Sequence, residues 1–308
     1  MDHIKNLTVY LGSSGRCRSV FKELAKELGT LIGEKSKNLV YGGMDAGLMG
    51  IVANKALESG SCVTGIIPKS LKDSERIHPD LCETILVPDL WERKLKMFKR
   101  ADAIICLAGG FGTIDEMLEA LYWADLGSHA KPIVIVNTQG YWNDLIKFIK
   151  SAPDLSKKYL IIADSPEDVF EKLNKWEVPK IKSDPEFLPH FEENILQNED
   201  EPLIFKSPTI KCGYMLATAL GLKQLGKHNR HIGILNNEGQ FDLLLKWIKT
   251  AQNEKFITEH CTELFSVDSD IDELKSKLDA QRKIKIDLHH DKWGPSETKT
   301  HIEVRETE

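Results

Sequence analysis

Residues 103–116 read AIICLAGGFGTIDE, and this stretch decides the fold. Ala103–Leu107 is a short apolar run of strand character. Gly109, Gly110 and Gly112 follow it at once, and Thr113 then opens an amphipathic segment reaching Leu126. A strand that passes through a glycine-rich turn into a helix is the unit of a parallel sheet, and ligands bind at the carboxyl ends of such strands. The same hand-over occurs twice upstream, at Gly12-Ser13-Ser14-Gly15 after Leu7–Leu11 and at Gly42-Gly43-Met44-Asp45-Ala46-Gly47 after Asn38–Tyr41. Glycine there lets backbone N–H groups approach a phosphate, and the following helix presents its positive end. A lone glycine pair is usually only a turn. Three in succession at strand–helix junctions point to an anion.

Working outward, strands are predicted at Leu7–Leu11, Asn38–Tyr41, Cys62–Ile67, Glu83–Val87, Ala103–Leu107, Ile133–Asn137 and Leu160–Ala163. Val20, Phe21, Leu24, Ala25, Leu28, Leu31 and Ile32 mark a helix between the first two. Further helices are predicted at Gly47–Ser59, Leu90–Arg100, Thr113–Leu126, Trp142–Lys150 and Pro166–Asn174, the last with Ser165 as N-cap and Pro166 at its first position. The alternation predicts an α/β fold, a Rossmann-like doubly wound parallel sheet, over residues 1–178. Residues 179–202 lose periodicity and gain Pro, Asp and Glu, as a linker does.

Residues 203–280 then carry an internal repeat. Shifting the chain by 99 positions lays Leu225-Gly226 and His228 on Leu126-Gly127 and His129, and Ile232, Ile234, Asn236 and Gly239 on Ile133, Ile135, Asn137 and Gly140. Eleven of the twenty-five positions from Leu126 to Lys150 are identical. The copy predicts a helix at Tyr214–Leu225, a strand at His231–Leu235 and a helix at Phe241–Thr250. Nothing here repeats the first three strands, so the unit is a degenerate α/β half-repeat, expected to close no sheet of its own and to dock on the first domain or on another subunit. Residues 281–308 form a charged end, expected to be a mobile tail or an added edge strand.

The 308 residues carry a net charge of −6 with both signs interspersed, which excludes nucleic acid held on a basic face. No apolar run reaches membrane-spanning length and no secretory leader pattern opens the chain, so a cytoplasmic protein with a small-molecule ligand is expected. The six cysteines lack CxxC or Cys/His spacing, which leaves no zinc motif and suggests free, mostly buried thiols.

The chemistry narrows in the same way. Neither GxGxxG nor GxxxxGK[ST] is present, so no nicotinamide or triphosphate site is indicated and a monophosphate fits better. Asp115, Glu116 and Glu119 follow the third glycine loop. Acids there can simply complement a helix dipole, yet Glu116 stands where it would orient a water or face a cationic sugar. Trp91-Glu92-Arg93-Lys94 opens the preceding helix. On an isolated helix this is a solvated face, but beside the glycine loops Arg93 would clamp a phosphate or a leaving base.

Gly12-Ser13-Ser14, Tyr41-Gly42-Gly43, Gly47-Leu48-Met49-Gly50, Glu92-Arg93-Lys94 and Gly109–Glu116 together resemble the Lonely Guy family of cytokinin riboside 5′-monophosphate phosphoribohydrolases, which has also carried a lysine decarboxylase label. The likeness runs from about Asn6 to Leu173. It implies hydrolysis of the N-glycosidic bond of a purine nucleoside 5′-monophosphate, with Arg93 and Glu116 catalytic. Gly12, Ser13, Ser14, Gly43, Lys94, Gly109, Gly110, Gly112 and Thr113 would bind substrate and phosphate. It also implies a homodimer and no metal or organic cofactor. There are three departures from the family pattern: Ala108 replaces a proline, Leu90-Trp91 replaces Met-His, and Met44 replaces a glycine. Trp91 and Met44 are large enough to reshape a base pocket. A nucleotide or cofactor carrier of the same fold is the competing reading. A pyridoxal-dependent decarboxylase is disfavoured because no lysine is singled out for a Schiff base. In the repeat Lys211, Cys212 and Met215 replace Gly112, Thr113 and Glu116. The second half should therefore be silent, and is expected to imitate part of a partner subunit or to cap the sheet.

Overall fold

The computed structural model describes residues 3–69, 76–153, 157–179, 188–198, 201–282, 284 and 286. Seven parallel strands form the main sheet: β1 (Asn6–Tyr10), β2 (Asn38–Tyr41), β3 (Val63–Pro68), β4 (Glu83–Val87), β5 (Ala103–Cys106), β6 (Ile133–Val136) and β7 (Leu160–Ala163), in the order β4-β3-β2-β1-β5-β6-β7. The chain winds outward from β1 to one edge, then crosses back to β5 on the other side of β1. The strand order therefore reverses between β1 and β5, where open α/β sheets form their ligand crevice. Central strands β3, β5 and β6 are buried along their whole length, as a sheet covered on both faces requires.

The covering helices are α1 (Ser19–Glu34), α2 (Gly47–Glu58), α3 (Leu90–Arg100), α4 (Phe111–Asp125), α5 (Asn143–Ser151) and α6 (Pro166–Asn174). The predicted stripe of α1 is buried at Phe21, Leu24, Ala25, Leu28 and Ile32, and α1 packs against α2 and α6. Two side-chain caps set helix starts. Asp89 Oδ1 accepts from Glu92 N at 2.8 Å to begin α3, and Ser165 Oγ accepts from Asp168 N at 3.2 Å to begin α6. Helix α4 differs in kind. Its apolar residues, among them Ile114, Met117, Leu118, Leu121 and Trp123, run round the whole circumference, so it must be covered on both sides.

The second cover comes from the C-terminal half, built of β8 (Leu203–Phe205), α8 (Ile210–Gln224), β9 (Ile232–Leu235), α9 (Asp242–Asn253), β10 (Ser266–Asp268) and α10 (Ile271–Asp279). Helix α8 packs on α4 and α9 packs on α5. Contrary to expectation, this half does close a sheet of its own, the parallel set β10-β9-β8, backed by α10 through Leu274 and Leu278 against Gly233. Strands β8 and β10 are three residues each, too short for a periodicity reading to find.

The segment read as a plain linker also differs. Within it α7 (Glu192–Leu196) packs on α8, Trp123 Nε1 donates to the Pro189 carbonyl at 2.8 Å, and His190 stacks on Trp91 with ring centroids 4.0 Å apart. The charged end from residue 287 onward lies outside the described residues. Cysteines 17, 106 and 261 are buried, but Cys62 and Cys82 are exposed, correcting the expectation that the thiols are mostly buried. Among the described residues no helix is long and apolar enough to cross a membrane.

Candidate active site

The crevice forms where β1 and β5 release their glycine loops. The two loops are tied together at their base by Gly12 N, which donates to the Ala108 carbonyl at 3.0 Å, and the second is held from the turn after β6 by Tyr141 Oη, which donates to the Gly109 carbonyl at 2.6 Å. Ala108 thus serves through its carbonyl, which proline would also supply. Gly109 must lack a side chain, since a Cβ there would lie 2.0 Å from Thr113 Oγ1. Gly112 has open space around it and faces the cavity.

Gly12, Ser13, Ser14, Arg93, Lys94, Gly110, Gly112, Thr113 and Glu116 all line one cavity, whereas Gly43 and Gly109 lie behind it as supports. Gly43 takes φ +79°, a left-handed conformation that glycine adopts freely, and a Cβ there would meet Ile67 at 2.5 Å. Its neighbour Gly42 makes room for Arg93 directly: a Cβ would stand 1.8 Å from Arg93 Nη2, which donates to the Gly42 carbonyl at 3.4 Å. Arg93 is 9% exposed, and its Nε has no hydrogen-bond partner among the described residues. A buried guanidinium on a cavity wall, with one donor left unpaired, is suited to an anionic ligand.

Glu116 sits on the first turns of α4, half-buried on the cavity wall. Burial pushes its carboxyl up to about 7, with Asp115 adding to the rise and Arg93 and Lys94 opposing it. The group is thereby poised to exchange a proton near neutral pH.

Two of the expected substrate-binding residues have partners within the chain. The Lys94 ammonium is buried among Asp115 (3.1 Å), Glu119 (3.2 Å) and Glu192 (3.3 Å), so its charge is already balanced. Burial works to lower its pKa, but Asp115 and Glu119 outweigh that and hold it well above the ordinary lysine value. Glu119 is pushed up to about 8, chiefly by burial and against the pull of Lys94; it accepts a hydrogen bond from Tyr214. The Ser14 hydroxyl donates to the Lys255 carbonyl at 2.7 Å. Lys94 and Ser14 therefore line the cavity while held by partners within the chain. Of the two bulky departures, Met44 lines the cavity, while Trp91 packs on His190 and Trp123 and is not part of the lining.

Several lining residues escaped the sequence reading because they come from the second half. Thr218, Gly221, Leu222 and Leu225 at the end of α8, and Phe256 after α9, close one side of the cavity, and Glu192 reaches in from α7. The one available signal was the repeat itself, which places Thr218 at the position equivalent to Glu119. Among the described residues no group of His, Cys, Asp and Glu side chains is arranged to hold a metal ion.

A doubly wound α/β protein with a glycine-lined crevice at its switch point is the class that fold and site define. Comparison with known proteins then places the chain within it. The family model described as "Possible lysine decarboxylase" matches residues 49–173. The Arabidopsis thaliana protein named cytokinin riboside 5′-monophosphate phosphoribohydrolase LOG7 is 36% identical over 182 residues, 57% of this chain and 84% of the relative. Its namesake LOG1 is 37% identical, covering 57% and 85%. The chain belongs to the cytokinin riboside 5′-monophosphate phosphoribohydrolase, or LOG, family. Among solved structures, the molybdenum cofactor binding protein of Rippkaea orientalis is 21% identical with a TM-score of 0.46, covering 56% of this chain and 96% of its own. The molybdenum cofactor carrier protein of Chlamydomonas reinhardtii is 18% identical with a TM-score of 0.44, covering 56% and 98%.

Proposed function

We propose that this chain hydrolyses the N-glycosidic bond of a purine nucleoside 5′-monophosphate, releasing free base and ribose 5-phosphate. The observation that carries this reading is the meeting of Arg93 and Glu116 with the two glycine loops on one cavity. The loop Gly110–Thr113 and the start of α4 offer backbone donors and a positive helix end to the 5′-phosphate, and Arg93 adds a fixed charge. Holding the non-reacting phosphate orients the sugar before any bond breaks.

Departure of the base leaves an oxocarbenium-like ribose with positive charge at the ring, while negative charge gathers on the base. Glu116, as carboxylate, stabilises that cation and takes a proton from the attacking water, while the departing base takes up one proton from solvent, so that water's H and OH end on base and sugar once Glu116 returns its proton to solvent. Arg93 offsets the charge on phosphate and leaving group. Lys94 acts one step removed, holding Asp115 and Glu119 so that α4 presents Glu116 to the cavity.

The test is incubation of purified protein with adenosine 5′-monophosphate and, separately, isopentenyladenosine 5′-monophosphate, following base and ribose 5-phosphate. Glu116→Ala is expected to lose about 10²- to 10⁴-fold in turnover. Near-normal turnover would remove Glu116 from the mechanism. Nucleotide binding with no release by the unmodified protein would assign it to the carriers instead.

A further inference from the structure

The two halves of the repeat share local geometry as well as sequence. Gln139 and Glu238, 99 positions apart, both take the left-handed conformation (φ 54°, ψ 21° and φ 52°, ψ 22°) in matching turns. His129 Nε2 bonds the Ala120 carbonyl at 2.8 Å, and His228 Nε2 bonds the Ala219 carbonyl at 2.9 Å. Trp142 N donates to Asn137 Oδ1 at 2.9 Å, and Phe241 N donates to Asn236 Oδ1 at 2.7 Å.

The contacts between the halves are reciprocal. Trp142 stacks on Trp247 with centroids 5.5 Å apart, and Phe148 stacks on Phe241 at 6.3 Å. By the 99-residue shift Trp247 is the counterpart of Phe148, and Phe241 that of Trp142. The polar pairs obey the same rule. Thr218 Oγ1 donates to Asp115 at 2.5 Å and Tyr214 Oη donates to Glu119, while 214 and 218 are the counterparts of 115 and 119. Position i meets the copy of j, and j meets the copy of i. That relation defines the isologous interface of a two-fold dimer, here formed between α4 and α8 and between α5 and α9 inside one chain.

We propose that residues 203–280 are a permanent in-chain second subunit, which occupies the α4/α5 face and supplies one wall of a single nucleotide site, so that the protein works as a monomer. The copy lacks counterparts of β1 to β4 and carries Lys211, Cys212 and Met215 where the first half has Gly112, Thr113 and Glu116. A true two-fold dimer would hold two sites, and this chain retains one. Its wall is the end of α8, with Thr218, Gly221, Leu222 and Leu225, joined by Phe256. Phe256 also fixes the phosphate loops: Cβ atoms at Gly12 and Gly110 would come within 2.7 Å of its ring and 2.6 Å of its carbonyl oxygen. The homodimer implied by the family resemblance is thus replaced by an internal pseudo-dimer. The assignment of the wall to a nucleotide site rests on the function proposed above, whereas the pseudo-dimer does not.

Two measurements on the full chain decide it. Sedimentation velocity at micromolar protein is expected to give the mass of one chain, and a stable species of twice that mass overturns the monomer. Calorimetric titration with adenosine 5′-monophosphate is expected to show one site per chain. Gly221 is the position to vary, because it lines the cavity, lies in a helix and has no atom within 4 Å of an added Cβ. Gly221→Trp is expected to weaken binding at least about tenfold (roughly 1.4 kcal/mol) without lowering Tm. Unchanged binding by Gly221→Trp, or no binding by the unmodified chain, overturns the wall. Binding without base release defeats the hydrolase alone and leaves both arms to stand on mass and affinity.

Discussion

Glu116 and Lys94 carry opposite lessons about a carboxylate and an ammonium in one cavity. Glu116 ionises only near pH 7 because burial disfavours its charge. If the carboxylate is the working form, kcat/KM should rise about tenfold per pH unit in acid and level off above about pH 7. A profile flat from pH 5 to 8 would argue against it. The same shift sets a stability slope. A carboxyl whose folded pKa is raised binds its proton more tightly when folded, so its contribution is complete below about pH 4.5 and is lost as pH rises through about 7. Glu116→Gln should therefore raise Tm by a few degrees, about 2–4 °C per kcal/mol gained, at pH 8 and leave it unchanged at pH 4.5. Lys94 answers to three carboxylates. Lys94→Ala leaves them uncompensated and should cost about 3–5 kcal/mol in urea unfolding. The loss should be larger at pH 8.5 than at pH 6, because Glu119, pushed up to about 8 even with Lys94 beside it, is largely neutral at pH 6 and meets the ammonium as a carboxylate only at the higher pH.

At the level of elements, the site depends on where helices begin. Asp89 caps α3 three residues before Glu92, and Arg93 and Lys94 follow in the same turn. Asp89→Ala should cost about 1 kcal/mol of stability and, by letting the turn fray, raise KM for the nucleotide more than it lowers kcat. Steady-state kinetics beside thermal melts would separate the two, and a stability loss with unchanged KM would mean that packing alone holds Arg93. Helix α4 shows how an element's sequence announces its surroundings. Its apolar residues leave no solvent face, which requires a second covering layer without saying what that layer is. The strand and helix spans of the first half were legible within a residue or two because burial on a sheet imposes a clear period. Strands β8 and β10 were not, because three residues carry no period.

Taken as a whole molecule, two sheets share one continuous hydrophobic core, with Trp142, Phe148, Phe241 and Trp247 all buried between them. Such an interface makes the halves unfold together. Trp247→Ala should cost about 3–5 kcal/mol, and differential scanning calorimetry of the unmodified chain should show one transition. Two resolved transitions would mean that the C-terminal half melts as an independent body.

What the sequence determined by itself was whatever depends on neighbours along the chain: the parallel α/β pattern, the glycine loops at strand ends, the repeat, and Arg93 and Glu116 as candidates beside those loops. Tertiary structure alone decided which of these meet and what else joins them. It paired Lys94 with three carboxylates and Ser14 with the Lys255 carbonyl, packed Trp91 between Trp123 and His190, and brought Thr218, Gly221 and Phe256 to the cavity from more than a hundred residues away. Periodicity and turn chemistry act over a few residues. Reciprocal packing of one helix pair on its copy acts through space, and it depends on side-chain shapes that no local pattern records.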